Sequence, residues 1–450
     1  MDCLTCHDNS YLEQMLKTLR LACICIVLNV QFINAQLQYA SPESVGLDAT
    51  SIHEKVDSIM ASAIAEQAFP GAQLLVAKQG KIIFHKTYGY HTYDNVQEVA
   101  LSDIYDLASV TKITGPLPAL MRLYEEGKID LDRPFSDYWK PWRRHKDKNK
   151  ITLRELLAHQ SGLQPYIVFL NEVLKNGKLK SRFARTKRSK RFSKQAYSNI
   201  FIKNRFRNKV YRKISKSKVS LYKTYKYSGL ASLIYPQLIE DITGVPYTTY
   251  LQINFYKPLG CETLGYLPDL KNFSNTIVPT EKDSIFRKDL TTNWVHDENA
   301  ALLGGVSGNA GLFGTATDLA KYMQMLLQKG RYAGKQYFKA ATVNEFIKMQ
   351  YPENHNRRGL GFDKPLIGND TLSLKLSYPA PEVSAESFGH GGFTGTFVWA
   401  DPEHELVFIF LSNRVYPSRT HRNIYNLNIR PTLQQVFYTK PKTENQVINN

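Results

Sequence analysis

Cysteine is scarce, with five in 450 residues. Cys3, Cys6, Cys23 and Cys25 all precede Gln36, which leaves Cys261 alone in the rest of the chain and excludes a disulfide framework within one mature molecule. The spacings that hold metals and phosphates are missing as well. There is no His-Glu-x-x-His pair and no glycine-rich phosphate loop, so no metal and no cofactor is expected. Cys3-Leu-Thr-Cys-His7 does spell a c-type haem attachment, but it lies ahead of a segment read below as a cleaved leader, which sets haem aside. Long apolar runs are also lacking. The run from Leu21 to Val30 falls well short of the ~20 residues that cross a bilayer, so no transmembrane span is expected in the mature chain.

Acidic residues are absent from one stretch. Between Lys175 and Lys226 there are 20 Lys or Arg and no Asp or Glu. The formal charge of +18 therefore belongs to that segment, because the remainder holds 38 basic against 40 acidic residues. Lys17 and Arg20 precede the apolar run, and Asn34-Ala35 offers a small residue for cleavage, which reads as an export signal over residues 1–35 with Met15 as an alternative start. Arg20 stands where a lipoprotein signal ending at Cys23 would want an apolar residue. A periplasmic or secreted protein is expected. Export argues against nucleic acid as the partner of the basic stretch, although Lys and Arg interleaved with Tyr and Phe would suit it. A solvated lid beside the cleft is the simpler reading, and attraction to an anionic envelope polymer or lipid headgroup is the alternative.

With 43% hydrophobic residues the chain can build one large domain or two intimate ones. Asp48 to Ala65 carries Ile52, Val56, Ile59, Met60, Ala63 and Ile64 at helical spacing. Ala72 to Ala77 and Lys81 to Lys86 read as strands around Gln79-Gly80. Residues 130–270 read as a mainly helical insertion. Phe393 to Ala400 and Glu405 to Ser412 form a second hairpin, followed by a terminal helix through Leu427, Ile429, Leu433 and Val436. Strands at both ends with helices between them predict an α+β fold: an antiparallel sheet flanked by helices, plus a mainly helical subdomain, with the site in the groove between. Residues 36–450 would make up this unit.

The chemistry centres on Leu107-Ala108-Ser109-Val110-Thr111-Lys112. A serine three residues ahead of a lysine on a helix shares its face, about 5–6 Å apart Cβ to Cβ. A serine hydroxyl needs a base within reach, and a lysine in a desolvated cleft can serve as one. Pro116, one turn on, predicts a bend in this helix because it cannot donate to Lys112. Downstream stand Tyr227-Ser228-Gly229, followed by an apolar stripe (Leu230, Leu233, Ile234, Leu238, Ile242) up to Gly244, and Phe388-Gly-His-Gly-Gly-Phe-Thr-Gly-Thr396.

In this order, with Leu156-Leu-Ala-His-Gln-Ser-Gly-Leu163, Val295-His-Asp-Glu-Asn-Ala300, Leu303-Gly-Gly-Val-Ser-Gly308 and Trp399-Ala-Asp-Pro402, these motifs resemble the serine hydrolases of the class C β-lactamase and penicillin-binding-protein superfamily over roughly Val45 to Tyr438. The resemblance implies a β-lactamase/transpeptidase-like fold and acyl transfer through an ester on Ser109. Lys112 and Tyr227 would share the general-base task, and the backbone N–H groups of Ser109 and Phe393 would face the oxyanion. Gly391 and Gly392 would permit the close approach, and His390 and Gly392 would line the substrate site. Tyr197-Ser-Asn199 carries the family's Tyr-x-Asn spelling, but the helix stripe after Tyr227 favours Tyr227 and leaves Tyr197 as an exposed surface tyrosine, with Tyr222 and Tyr225 as runners-up. Two departures bear on substrate: Gly229 lacks the side-chain amide of the family's asparagine, and His390 stands where lysine is usual. Both favour esters, amides or peptides without a penicillin-like carboxylate. The alternatives are a β-lactamase or DD-peptidase proper, or a non-catalytic envelope-glycan-binding protein on the same fold. His159 reads as a hydrogen-bonded scaffold residue, and His296 with Asp297 as either cleft lining or a buried polar pair.

Overall fold

The computed structural model describes residues 36–438 apart from 271, 272 and 274; residues 1–35, on which the expected leader, four cysteines and the haem-like spelling fall, lie outside the described residues. The central sheet is built from β1 (Gln38–Tyr39), β2 (Gly71–Lys78), β3 (Lys81–Gly89), β7 (Phe388–Gly391), β8 (Phe397–Asp401) and β9 (Leu406–Ser412). Across the sheet they lie in the order β1, β3, β2, β9, β8, β7. Every pairing is antiparallel as expected, except that the two-residue β1 runs parallel to β3 at the edge.

Period-two alternation fixes which core each strand residue enters. Leu74, Val76, Phe397, Trp399, Phe408 and Phe410 face one side, where α1 (Ala49–Ala65) and the terminal helix α6 (Ile429–Gln435) cover them with Val56, Met60, Ile429 and Leu433. Leu75, Ala77, Val398, Val407, Ile409 and Leu411 face the other side and join the larger core shared with the helical half. Burying each such side chain is worth about 1.5–3 kcal/mol, which is why the sheet can be apolar on both faces. Asp48 caps α1 by accepting from the Ser51 N–H at 3.0 Å, worth ~1 kcal/mol.

Three further short strands, β4 (Tyr105–Asp106), β5 (Gly265–Tyr266) and β6 (Leu312–Gly314), form a small sheet in the order β5, β6, β4. It leads the chain from β4 into α2 (Thr111–Thr114) and α3 (Pro116–Glu125). Here the expected bend is replaced by a break. Gly115 turns the backbone at φ −97°, ψ −91°, and Pro116 begins a new helix at a position that owes no N–H. A Cβ at Gly115 would lie 2.6 Å from the Tyr266 hydroxyl and 2.8 Å from the Thr111 carbonyl, so the break is packed as well as turned.

The segment between residues 130 and 270 is less helical than its sequence suggests. It contains α4 (Phe206–Lys216) and α5 (Tyr235–Thr243), but the basic stretch also folds as short strands, with Ala184–Arg185, Ile200–Ile202 and Lys194–Tyr197 forming one three-stranded sheet. Ala184, Ala196, Ile200 and Ile202 supply its buried residues. α5 ends at Gly244 in the left-handed conformation (φ 71°), the stop that the sequence marks.

Candidate active site

Ser109 sits on a tight turn that the chain enters from β4. Ala108 adopts φ +45°, a left-handed conformation disfavoured for a residue with a Cβ. Asp106, 2% exposed, holds the turn: its carboxylate accepts from the Ala108 N–H at 2.8 Å and the His296 N–H at 2.6 Å. Burial, set against those two bonds, still raises the Asp106 pKa. The Leu107 N–H donates to the Leu312 carbonyl of β6 at 3.0 Å.

One helical turn on, the Lys112 Nζ lies 3.0 Å from Ser109 Oγ and donates at 3.0 Å to the Asn309 carbonyl. The lysine is 8% exposed, and Pro116, Leu117, Leu157 and His159 wall a small cavity beside its stem. Tyr227 arrives from the helical half, and its ring centre lies 5.3 Å from Lys112 Nζ. The Tyr227 hydroxyl is buried and makes no hydrogen bond among the described residues. Its segment is pinned along its length: the Lys226 N–H donates to the His159 carbonyl, the Ser228 N–H to His159 Nδ1, and the Gly229 N–H to the Pro165 carbonyl. His159 also packs its ring 4.4 Å from that of Tyr227. Because Nδ1 accepts, the imidazole is neutral with its proton on Nε2; burial, then Arg358 and Lys112, hold its pKa well below the usual histidine range. This is the scaffold arrangement expected of it.

The His390 motif forms the edge strand β7, which the sequence reading had not separated from the hairpin. His390 is buried with its ring 6.1 Å from Tyr227. Its Nδ1 donates to the Gly391 carbonyl at 2.8 Å, and burial, followed by Arg358 and Lys112, lowers its pKa to about 3. It is therefore a neutral acceptor at Nε2. After the strand, Thr394 Oγ1 donates to the Asp106 carbonyl (2.8 Å) and Thr396 Oγ1 to the Leu107 carbonyl (3.1 Å), which clamps the turn after β7 to the approach to Ser109. Gly392 lies inside this clamp, its N–H donating to the Thr396 carbonyl at 2.7 Å. Phe393 is 44% exposed beside it, stacked on His296 at 5.9 Å and covered by Arg414 at 4.2 Å.

Ser109, Lys112, Tyr227, His390, Gly392 and Phe393 thus meet at one place. Tyr197 does not join them. It is not the exposed tyrosine expected: it is 5% exposed, with its hydroxyl donating to Asp289 at 2.9 Å, because the strand carrying it turns that side chain inward. Tyr222 is 80% exposed. His296 forms a buried pair with Glu281 at 2.9 Å, and Asp297 caps a short helix and accepts from the Asn309 amide.

One neighbour carried no signal in the sequence. Arg358 is buried, its guanidinium 5.7 Å from the Tyr227 ring centre, and pairs at 2.9 Å with Asp363, whose backbone bonds to Gly389 of β7. Burial works against the Asp363 carboxylate, but Arg358 and Arg357 outweigh it and hold its pKa down.

The Beta-lactamase family model matches residues 56–430. A protein of Salmonella heidelberg, named as a provisional D-alanyl-D-alanine carboxypeptidase, is 31% identical over 421 residues, covering 88% of this chain and 89% of the relative. Among solved structures, EstCE1, a hydrolase with promiscuous acyltransferase activity, aligns at a TM-score of 0.62 and 18% identity over 87% of this chain and 99% of its own. A penicillin-binding-protein homologue from Caulobacter crescentus aligns at a TM-score of 0.59 and 17% identity, over 87% of this chain and 99% of that one.

Proposed function

The chain belongs to the beta-lactamase family of serine hydrolases, and from that membership we propose that it hydrolyses ester, amide or peptide bonds through an acyl-enzyme on Ser109. The observation that carries this reading is Lys112 Nζ 3.0 Å from Ser109 Oγ, with the buried hydroxyl of Tyr227 left unpaired beside it. In the first step Ser109 Oγ attacks the carbonyl carbon while its proton passes to the Lys112–Tyr227 pair. The tetrahedral oxyanion sits against the N–H groups of Ser109 and Phe393, and on its collapse the leaving alcohol or amine takes the proton from the pair. Water then attacks the ester with the same base, releasing the acid and restoring the Ser109 hydroxyl.

The neutral His390 and the side-chain-free Gly229 support substrates that present no penicillin-like carboxylate. A Cβ built on Gly229 would meet nothing closer than Asn309 Cβ at 4.0 Å, so the position is open rather than packed shut. The name of the Salmonella relatives favours a second reading, removal of a C-terminal D-alanine from a peptide. We place the enzyme in the periplasm or outside the cell on the leader over residues 1–35; no helix among the described residues is long and apolar enough to cross a membrane.

The test is labelling with a fluorophosphonate, followed by turnover of p-nitrophenyl esters, D-alanyl-D-alanine peptides and nitrocefin. Labelling lost in Ser109→Ala and turnover of esters or peptides is the expected result. Failure of the folded wild type to label would sink the hydrolase reading, and nitrocefin turnover exceeding that of the esters would contradict the substrate class.

A further inference from the structure

The basic segment is not absorbed by the catalytic reading. Among its 20 cations only three have an acidic partner among the described residues: Lys209 and Lys213 on Glu172, and Lys223 on Glu155. Most of the others are exposed, including the run Lys187, Arg188, Lys190 and Arg191. The surface continues onto a neighbouring loop, since Trp139 meets Tyr211 of α4 edge-on at 5.2 Å and Lys148 donates to the Ser217 carbonyl, which brings exposed Arg144 and Lys146 alongside. The segment ends at Lys226, adjacent to Tyr227, so the charged surface runs to the candidate site. Like charges held this close repel one another and concentrate counter-anions, a cost to the fold that a bound polyanion would offset.

Two features choose among polyanions. Of the segment's eight aromatic residues, Phe192, Tyr197 and Phe206 are buried, Phe183 is covered by Lys209 at 4.2 Å, and Phe201 and Tyr211 are half-buried, which leaves Tyr222 and Tyr225 exposed. Those two rings lie at the end of the segment, away from the run Lys187 to Arg191, and are too few to stack successive bases along it. α4 buries its apolar residues Phe206, Val210 and Ile214 against the protein, so it has no apolar face to lay into a bilayer. We propose that residues 175–226 form a docking surface for an anionic polysaccharide, whose charges lie regularly along a chain without bases or acyl tails. The surface binds independently of acyl transfer at Ser109.

The experiment is binding of the intact protein to polygalacturonate, with neutral dextran, phosphatidylglycerol vesicles and a single-stranded oligonucleotide of matched charge as the other arms. With roughly five charges neutralised, affinity for polygalacturonate should fall about 100-fold between 50 and 200 mM salt. The charge reversal K187E/R188E/K190E, at exposed side chains, should weaken binding at least tenfold at low salt, while K55E/K257E/K375E, the same change in net charge on other faces, should not. Thermal midpoints of both variants report on folding. Equal loss in the two triple variants overturns the assignment to this surface. No binding to polygalacturonate, or tighter binding to the vesicles or oligonucleotide, overturns the partner. None of these outcomes depends on Ser109, so labelling of the active site stands or falls separately.

Discussion

Replacing Gly392 with alanine should disable acylation while leaving most of the fold in place. A Cβ there would lie 1.9 Å from Thr396 Oγ1 and 2.7 Å from the Leu107 carbonyl oxygen. The threonine can rotate away, but it then gives up its 3.1 Å bond to that same carbonyl. The carbonyl is backbone, and it must withdraw roughly 0.7 Å to reach ordinary van der Waals contact. Leu107 is two residues from Ser109 and Gly392 is next to Phe393, so the retreat shifts against each other the two turns whose N–H groups are proposed to face the oxyanion. Overpacking of this kind costs about 1–3 kcal/mol of stability, and a misplaced oxyanion donor lowers kcat by about 10²–10³-fold. Gly229→Ala is the matched control: with its nearest neighbour 4.0 Å away, the new methyl has room and no backbone need move. The assay is the burst rate of p-nitrophenyl ester acylation, with urea unfolding for stability. A Gly392→Ala protein that is folded and acylates within about threefold of wild type would refute the clamp, because a displacement near 1 Å is expected to cost ~10²-fold.

Stability should fall on mild acidification. His390 (pKa about 3), His85 (about 4) and His159 (well below its ordinary value) are all depressed mainly by burial, so the unfolded chain binds protons that the folded one refuses. The stabilisation is complete above pH ~6.5 and drains away as pH falls below it. A thermal midpoint flat from pH 7 to 5 would contradict this, and His390→Asn should reduce the slope. The buried and exposed carboxylates should differ sharply. Asp363→Asn strands Arg358 and should cost ~3–5 kcal/mol, whereas Asp57→Asn breaks a pair with Lys86 whose side chains are 43% and 41% exposed, worth under ~1 kcal/mol. Urea midpoints of the two variants decide it, and equal losses would refute the ranking.

What the sequence made legible is what depends on local spacing. The Ser109–Lys112 pair follows from helical geometry, α1 from its apolar stripe, and the paired cores from strand alternation. Residues that meet through tertiary packing left no such trace. Arg358 and Asp363 sit in a loop with no periodicity, and only the pairing of Asp363 with Gly389 brings them under Tyr227. The strands in the basic segment are masked by charge: their buried positions, Ala184, Ala196, Tyr197, Ile200 and Ile202, are few, and Lys and Arg between them read as a solvated helix or lid. Tyr197 was misjudged for the same reason, since its basic neighbours suggested exposure while Asp289, 92 residues away, draws its hydroxyl inward.

The histidine at position 390 makes sense against the cations already present. Tyr227 has Lys112 Nζ at 5.3 Å and the Arg358 guanidinium at 5.7 Å from its ring centre, contributed by different parts of the chain. Both cations would face the negative charge that develops at the tyrosine oxygen as the serine proton moves. Arg358 shares the Asp363 carboxylate with Arg357, so its charge is partly balanced; Lys112 donates only to a hydroxyl and a carbonyl and has no carboxylate beside it. A lysine at 390 would set a further ammonium in a buried site that already holds Lys112 and Arg358, with no carboxylate of its own. A neutral imidazole avoids that repulsion and still offers Nε2 as an acceptor. The departure from the family's usual lysine is therefore coupled to Arg358: the charge near the tyrosine is supplied from a fixed cluster of Arg357, Asp363 and Arg358 beneath it, and β7 is left uncharged at this position.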